Sequence, residues 1–264
     1  DVISAIQMAE EAMRAKKLLD RESIHSDMLT SLIRALQECD SDTESHVRRT
    51  QLMGAELGKR IELTDIQQSK LSLLCLLHDI GKIMTRSMKD GKVHFYNHEY
   101  VGAEMVGDIL RELKYDTDTI KKVQFLIRNH MRTKQAGDGA KYMKDKSLHK
   151  LLYECKTFEM FKSLMRIIEC DNEAHAKDCC IHNQYSELVA KVELEGSHSK
   201  MFGYKLPVTG EDIMSVLGLE PGPIIAEINK RLLNQAFMDP EISRGRCIQL
   251  LPGIKKQAEQ VLKK

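Results

Sequence analysis

The sequence predicts an all-α protein built as a helical bundle, and three observations carry that prediction. Apolar residues recur at helical spacing through 3–36, 47–61, 103–113, 120–127 and 148–168. The chain has no Trp and only 5 Pro in 264 residues, with 42% hydrophobic and 30% charged residues, the profile of a soluble helical protein. Finally, Leu71 to Lys82 reads Leu-Ser-Leu-Leu-Cys-Leu-Leu-His-Asp-Ile-Gly-Lys, with six apolar residues among its first seven and no polar stripe. A helix carrying it is enclosed on nearly all sides.

His78 and Asp79 therefore arrive on a buried segment, where an unpaired carboxylate is costly or takes up a proton. A divalent metal held by neutral imidazole and carboxylate answers that cost, and Gly81 and Lys82 add a permissive backbone position and a cation. The plainer reading is that Asp79 pairs with Lys82 or a distant Arg at a helix end.

At 264 residues the chain is one large domain or two small ones. No apolar run approaches the roughly 18 to 20 residues that span a bilayer, and no secretory signal opens the chain, so a cytoplasmic location without membrane contact is expected. The chain begins at Asp1 without an initiator Met, which suggests a fragment. A formal charge of +1 confines any polyanion site to a local patch. The seven Cys, at 39, 75, 155, 170, 179, 180 and 247, form no Cys-x-x-Cys pair and read as reduced thiols. Cys75 and Cys170 fall in apolar helix patterns, and the adjacent Cys179 and Cys180 are a weak metal or redox candidate.

In chain order, 1–40 reads as a long or once-broken helix or linker that packs on the later helices or dimerises, a homodimer being one expectation. Asp40 to Glu44 is turn-like, with Asp42 or Thr43 as cap of a helix on which His46 and Arg49 share a face. Arg86 to Lys92 reads as a charged connector with an exposed turn at Lys89-Asp90-Gly91-Lys92. Asn97 and His98 open a helix, and Gly102 lets neighbouring backbone approach. A further helix from Thr117 or Asp118 ends on His130. Gln135 to Lys146 breaks the periodicity and, with Lys134, reads as a basic rim loop over an anionic substrate or as a solvated charge run. Leu148 to Ile168 is again helical and leads to Asp171 and His175, four apart on one face. From Ser197 the character changes: Thr209 caps a helix with Asp212 at N3, and Gly218 to Pro223 opens another.

His78-Asp-Ile-Gly81 resembles the signature of the HD superfamily of metal-dependent phosphohydrolases, and the other motifs appear in order. Thr43-Glu-Ser-His46-Val-Arg-Arg-Thr50 is similar to the first ligand helix of HD-GYP-type phosphodiesterases, which implies His46 as opening ligand and Arg48 or Arg49 as a phosphate contact. Asn97-His-Glu-x-x-Gly102-Ala resembles the second-metal segment of HD hydrolases and of bacterial CCA-adding enzymes, favouring His98 over His94. Ile127-Arg-Asn-His130-Met and Cys170-Asp-x-x-Ala174-His175 are similar to later family segments. They imply His130 and Asp171 as ligands and place His175 beside them or the substrate. Thr209-Gly-Glu-Asp-Ile213 and Pro221-Gly-Pro223 resemble the tail of CCA-adding enzymes. Their nucleotidyltransferase motif, Gly-Ser followed by Asp-x-Asp, is not found, so CTP and ATP addition is not assigned to these residues. Ile6 to Lys17 resembles the closing helix of a sensory or nucleotide-cyclase domain.

The resemblance implies an HD-domain bundle over 41–196, preceded by an N-terminal helix and followed by a small helical extension over 197–264. His46, His78, Asp79 and Asp171 suffice for one divalent transition metal, and His98 and His130 allow a second with Asp79 bridging; Mn, Fe, Ni, Co and Zn are not distinguished. Two ions roughly 3.5 to 4 Å apart hold a hydroxide for in-line attack on phosphorus. Asp79, Lys82 and Arg49 are then the catalytic set, with Arg48, Arg132, Lys134 and His175 toward the substrate. The expected activity is phosphomonoester or phosphodiester hydrolysis on a nucleotide, cyclic nucleotide or RNA end, tRNA included. The alternatives are a catalytically silent RNA-binding module and a cyclic dinucleotide phosphodiesterase. The Gly-Tyr-Pro extension of the latter is absent after His130.

Overall fold

The computed structural model describes Ser31, Arg34 and residues 41–133, 143–175, 184–194 and 196–262. The expectations for the N-terminal helix, Lys134, most of the rim loop and Cys179-Cys180 lie outside these residues. Helices dominate, as expected: α1 (Ser41–Arg60), α2 (Asp65–Leu77), α3 (Lys82–Thr85), α4 (His98–Glu112), α5 (Thr117–Asn129), α6 (Asp145–Cys155), α7 (Phe158–Glu173), α8 (Gln184–Leu194), α9 (Gly196–Ser199), α10 (Gly210–Leu217), α11 (Pro223–Ala236) and α12 (Arg244–Leu262). No described helix is long and apolar enough to cross a membrane.

By packing, the described residues form two compact units. One holds those up to 132 with 166–175; the other holds 133, 143–165 and the segments from 184 onward. In the first unit α2 starts at a capping box: Thr64 accepts from the Gln67 amide, and the Gln67 side chain accepts from the Thr64 amide. Burial is continuous from Leu74 to Gly81, whereas Leu71 to Leu73 are half-buried, so the enclosure is tighter at the His78 end than the composition implied. Asp116 caps α5 by accepting from the Thr119 amide at 2.8 Å. Buried Ala103, Val106, Ile109 and Leu110 of α4 and Ile120, Leu126 and Ile127 of α5 supply the core, each fully buried large aliphatic contributing about 1.5–3 kcal/mol.

Two expectations are corrected. The connector after Lys82 holds a hairpin of β1 (Arg86–Lys89) and β2 (Lys92–Phe95), paired antiparallel with Arg86 opposite Phe95 and Lys89 opposite Lys92. Its Asp90-Gly91 turn has φ of 52° and 73°, the pair of positive angles that a two-residue type I′ turn needs. The helix expected through Leu148 to Ile168 breaks at Lys156, which takes φ 64°, so α6 and α7 are separate.

In the second unit Thr209 and Asp212 form the expected capping box of α10, and Pro223 sits in the first turn of α11. Val208, Ile213, Ile228, Leu232, Ala236, Ile242, Cys247, Leu251, Ile254 and Ala258 make its own core, to which α12 brings Cys247 through Ala258.

Candidate metal centre

Six side chains predicted as ligands come from five separate segments of the first unit and converge. His46 projects from the first half of α1, His78 caps α2, and Asp79 follows in the turn to α3. His98 opens α4, His130 caps α5, and Asp171 lies near the end of α7. All six are buried, Asp79 and Asp171 to 2% exposure.

Their donor atoms form two groups that share Asp79: His46, His78, Asp79 and Asp171, and Asp79, His98 and His130, each within 4.8 Å of one another. The two oxygens of Asp79 face opposite ways. Oδ2 lies 3.3 Å from His78 Nε2 and 3.6 Å from His46 Nε2, while Oδ1 lies 3.3 Å from His98 Nε2 and 3.7 Å from His130 Nε2. Asp171 Oδ1 closes the first group, 2.8 Å from His46 Nε2 and 3.5 Å from His78 Nε2.

Three imidazoles are aimed by one local device. Each ring donates its Nδ1–H to the main-chain carbonyl three residues earlier: His78 to Cys75 at 2.7 Å, His98 to Phe95 at 2.9 Å and His130 to Ile127 at 2.6 Å. A carbonyl only accepts, so in the neutral ring the tautomer is fixed and Nε2 is the lone pair facing the carboxylates, available to an ion. His78 Nε2 is buried with no hydrogen-bond partner, and the Nε2 atoms of His98 and His130 lie 3.4 Å apart, two acceptors face to face. Buried bare lone pairs beside two carboxylates fit a divalent cation bound by mixed nitrogen and oxygen donors.

Without an ion, a proton on His78 and the Lys82 ammonium supply the positive charge. Burial alone pushes His78 down, but Asp79 and Asp171 together outweigh it and raise its pKa to about 10. Burial likewise opposes the Asp79 charge, and His78, Lys82 and His130 nevertheless hold its carboxyl well below the usual range. Lys82 Nζ donates to Asp79 Oδ2 at 2.7 Å and lies 5.6 Å from the Phe95 ring centroid. The plain Asp79–Lys82 pairing is thus present within the convergent cluster, not in place of it.

Close main-chain packing sets the two sides against each other. A Cβ on Gly81 would stand 2.0 Å from the His98 carbonyl oxygen and 2.6 Å from the Gly102 nitrogen. Gly81 has φ −63°, so room and not backbone freedom is what the position requires. Asn97 and His98 open α4 as expected; Asn97 makes no side-chain cap bond and takes the left-handed conformation at φ 60°.

Around the cluster, Arg49 Nε donates to the Ala174 carbonyl at 2.6 Å, tying α1 to the residues after α7, while Arg48 is exposed. Arg132 donates to Asn129 Oδ1 at 3.3 Å beside His130. His175 packs edge-on to His46 at 4.4 Å between centroids, with Nδ1 3.9 Å from Asp171 Oδ1. Sequence reasoning passed over Glu99, 5% exposed with Oε2 3.7 Å from His98 Nδ1. Its signal was a carboxylate in the first turn of an otherwise apolar helix face.

Comparison with known proteins agrees with this picture. The chain is 27% identical over 161 residues to an A-adding tRNA nucleotidyltransferase of Deinococcus radiodurans, a span of 60% of this chain and 35% of that protein. It is 25% identical over 167 residues to a CC-adding tRNA nucleotidyltransferase of Thermus thermophilus, 61% of this chain and 34% of the relative. The matched part is therefore about a third of each relative's length. No solved structure matches. The family model of the HD domain matches residues 43–159, which include His46, His78, Asp79, His98 and His130 and stop short of Asp171. Residues 43–159 of this chain are thus similar to the HD domain family.

Proposed function

We propose that the chain is a metal-dependent phosphohydrolase, with 41–196 as its catalytic domain and 197–264 as a helical extension. The observation that carries this reading is the two-sided use of Asp79, whose oxygens each face a separate set of imidazole nitrogens. His46, His78, Asp79 and Asp171 would hold one divalent ion, and Asp79, His98 and His130 a second. When bound, such ions would supply Lewis acidity to phosphoryl oxygens and bring the pKa of a coordinated water toward about 7.

The chain's own residues do the rest. The Nδ1–H bonds to carbonyls keep three imidazoles aimed before any ion arrives, so little reorganisation accompanies binding. Lys82 Nζ, held at Asp79 Oδ2, places a cation where charge develops on a phosphate. Arg49 acts by fixing α1, and with it His46, to the end of α7. Arg48, Arg132, Lys134 and His175 are proposed as substrate contacts.

For the substrate we favour a terminal phosphoester of RNA, such as a 2′,3′-cyclic phosphate, because both relatives act on tRNA by name. The same similarity supports the rival reading of a silent RNA-binding module. One experiment separates them: metal content of the purified protein, with hydrolysis of bis(p-nitrophenyl) phosphate, 2′,3′-cyclic nucleotides, dNTPs and cyclic dinucleotides by the metal-reconstituted chain. Bound transition metal and hydrolysis, both lost in Asp79→Ala, support the enzyme. A metal-free protein that still binds tRNA supports the silent module and overturns the proposal.

A further inference from the structure

Of the described residues in the hairpin between Lys82 and His98, Phe95 alone contacts the candidate centre, and the role of the hairpin's outer face is unassigned. Every residue of β1 is exposed, as are the first two of β2, yet the hairpin carries Met88 at 62% and Tyr96 just beyond it at 58% exposure. Side chains alternate between the faces of a strand, and the register places Ser87, Lys89, Lys92 and His94 on one face with Tyr96 continuing it. Two lysines thus stand opposite each other at the tip. At the base, the His94 and Tyr96 rings are stacked, with centroids 5.1 Å apart and planes 9° from parallel. From Lys92 to Tyr96 this strip runs about 13 Å, the rise of some four stacked nucleotides.

Local charge sets the strip apart from the molecule. The whole chain carries a formal +1, whereas the strip carries Lys89 and Lys92, with Arg86 on the opposite face and Asp90 the single carboxylate of 86–95. Cations interleaved with a solvent-facing aromatic stack are the two elements that bind single-stranded nucleic acid: phosphates pair with the lysines and an unpaired base lies on the ring. The base of the hairpin also belongs to the metal centre, because the Phe95 carbonyl holds His98 and the Phe95 ring faces Lys82. Tyr96 lies two residues before His98 in the chain, so a strand lying along the strip from Lys92 toward Tyr96 runs toward the segment that carries His98.

We propose that the outer face of this hairpin, formed by Lys89, Lys92, His94 and Tyr96, binds the single-stranded end of an RNA and leads its terminal phosphoester to the centre at Asp79. The proposal rests on the phosphohydrolase reading and names its substrate class. Duplex RNA, whose bases are already stacked and paired, offers Tyr96 nothing to hold.

The test uses the full, metal-reconstituted chain and a fluorescein-labelled single-stranded RNA of about twelve nucleotides ending in a 2′,3′-cyclic phosphate. Binding is followed by anisotropy across a salt series for the unaltered protein, Lys89→Ala/Lys92→Ala and Tyr96→Ala, with circular dichroism as the fold control. The double variant is expected to lower the slope of log affinity against log salt by about 1.4, and Tyr96→Ala to weaken binding about tenfold or more. Equal binding by all three proteins overturns the surface, as does equal binding of a duplex or preference for polyglutamate, which would make the partner an acidic protein. Hydrolysis of bis(p-nitrophenyl) phosphate, measured in parallel, keeps the two readings apart. RNA binding lost in the variants without any hydrolysis by the unaltered protein refutes the enzyme and keeps the surface. Hydrolysis with unchanged RNA binding does the reverse.

Discussion

Gly81→Ala isolates the packing that brings the two halves of the centre together. The added Cβ would sit 2.0 Å from the His98 carbonyl oxygen and 2.6 Å from the Gly102 nitrogen, both main-chain atoms that cannot swing aside. Restoring ordinary contact at 3.4 Å requires the first turn of α4 to retreat by about 1.4 Å. That turn carries His98, whose Nε2 stands 3.3 Å from Asp79 Oδ1. Metal–nitrogen bonds tolerate only about 0.2 Å, so the group of Asp79, His98 and His130 is expected to lose its ion. The group of His46, His78, Asp79 and Asp171 does not use α4 and should keep its own. Overpacking of this kind destabilises by about 1–3 kcal/mol, and a misplacement of about 1 Å lowers rate by about 100-fold. Urea denaturation, metal analysis and bis(p-nitrophenyl) phosphate hydrolysis measure the three effects. A Gly81→Ala protein that keeps the full metal complement and full rate refutes the argument from close packing.

Three further outcomes are expected from other parts of the structure. Asp171→Ala removes the oxygen that closes the first group, and is expected to lower metal affinity there by at least about 100-fold, read by competition with a chelator. In the metal-free protein the pKa of His78 is raised to about 10, so below that pH an incoming ion must displace its proton. Metal affinity should therefore rise with pH, by about tenfold per unit between pH 7 and 9 for one displaced proton, with proton release visible in weakly buffered solution; a flat profile contradicts the assignment. Thr209→Ala breaks the capping box of α10 and should destabilise the second unit by about 1 kcal/mol in urea, leaving metal content unchanged.

The convergence of the six side chains was legible in the sequence because His and Asp residues on buried helices leave an order and a chemical anomaly. His78 and Asp79 end a run of apolar residues, and Asp171 repeats that arrangement 125 positions after His46. What the sequence does not display is the device that aims the rings. The bonds from Nδ1 to the carbonyls of Cys75, Phe95 and Ile127 depend on local backbone geometry and not on residue type. The hairpin was read only as a turn because Arg86 to Lys89 lack the alternation of a half-buried strand: all four are exposed, and no burial pattern imposes a period of two. The break at Lys156 has no Gly or Pro to announce it, and a positive φ at a non-Gly residue leaves no mark in the residue type. The box at Thr64 and Gln67 has the Thr-x-x-Gln spacing of a helix start, a quieter signal than the apolar run that follows it. In α12, Pro252 interrupts the pattern of a helix that continues through it, because burial of Leu251, Ile254 and Ala258 outweighs the lost hydrogen bond.

The most direct test is an anomalous difference map from crystals grown with Mn. The account predicts two peaks roughly 3.5 to 4 Å apart, on either side of the Asp79 carboxylate, one within bonding distance of His46, His78 and Asp171 and the other of His98 and His130. A map with no peak at Asp79, with Lys82 alone satisfying its carboxylate, contradicts it.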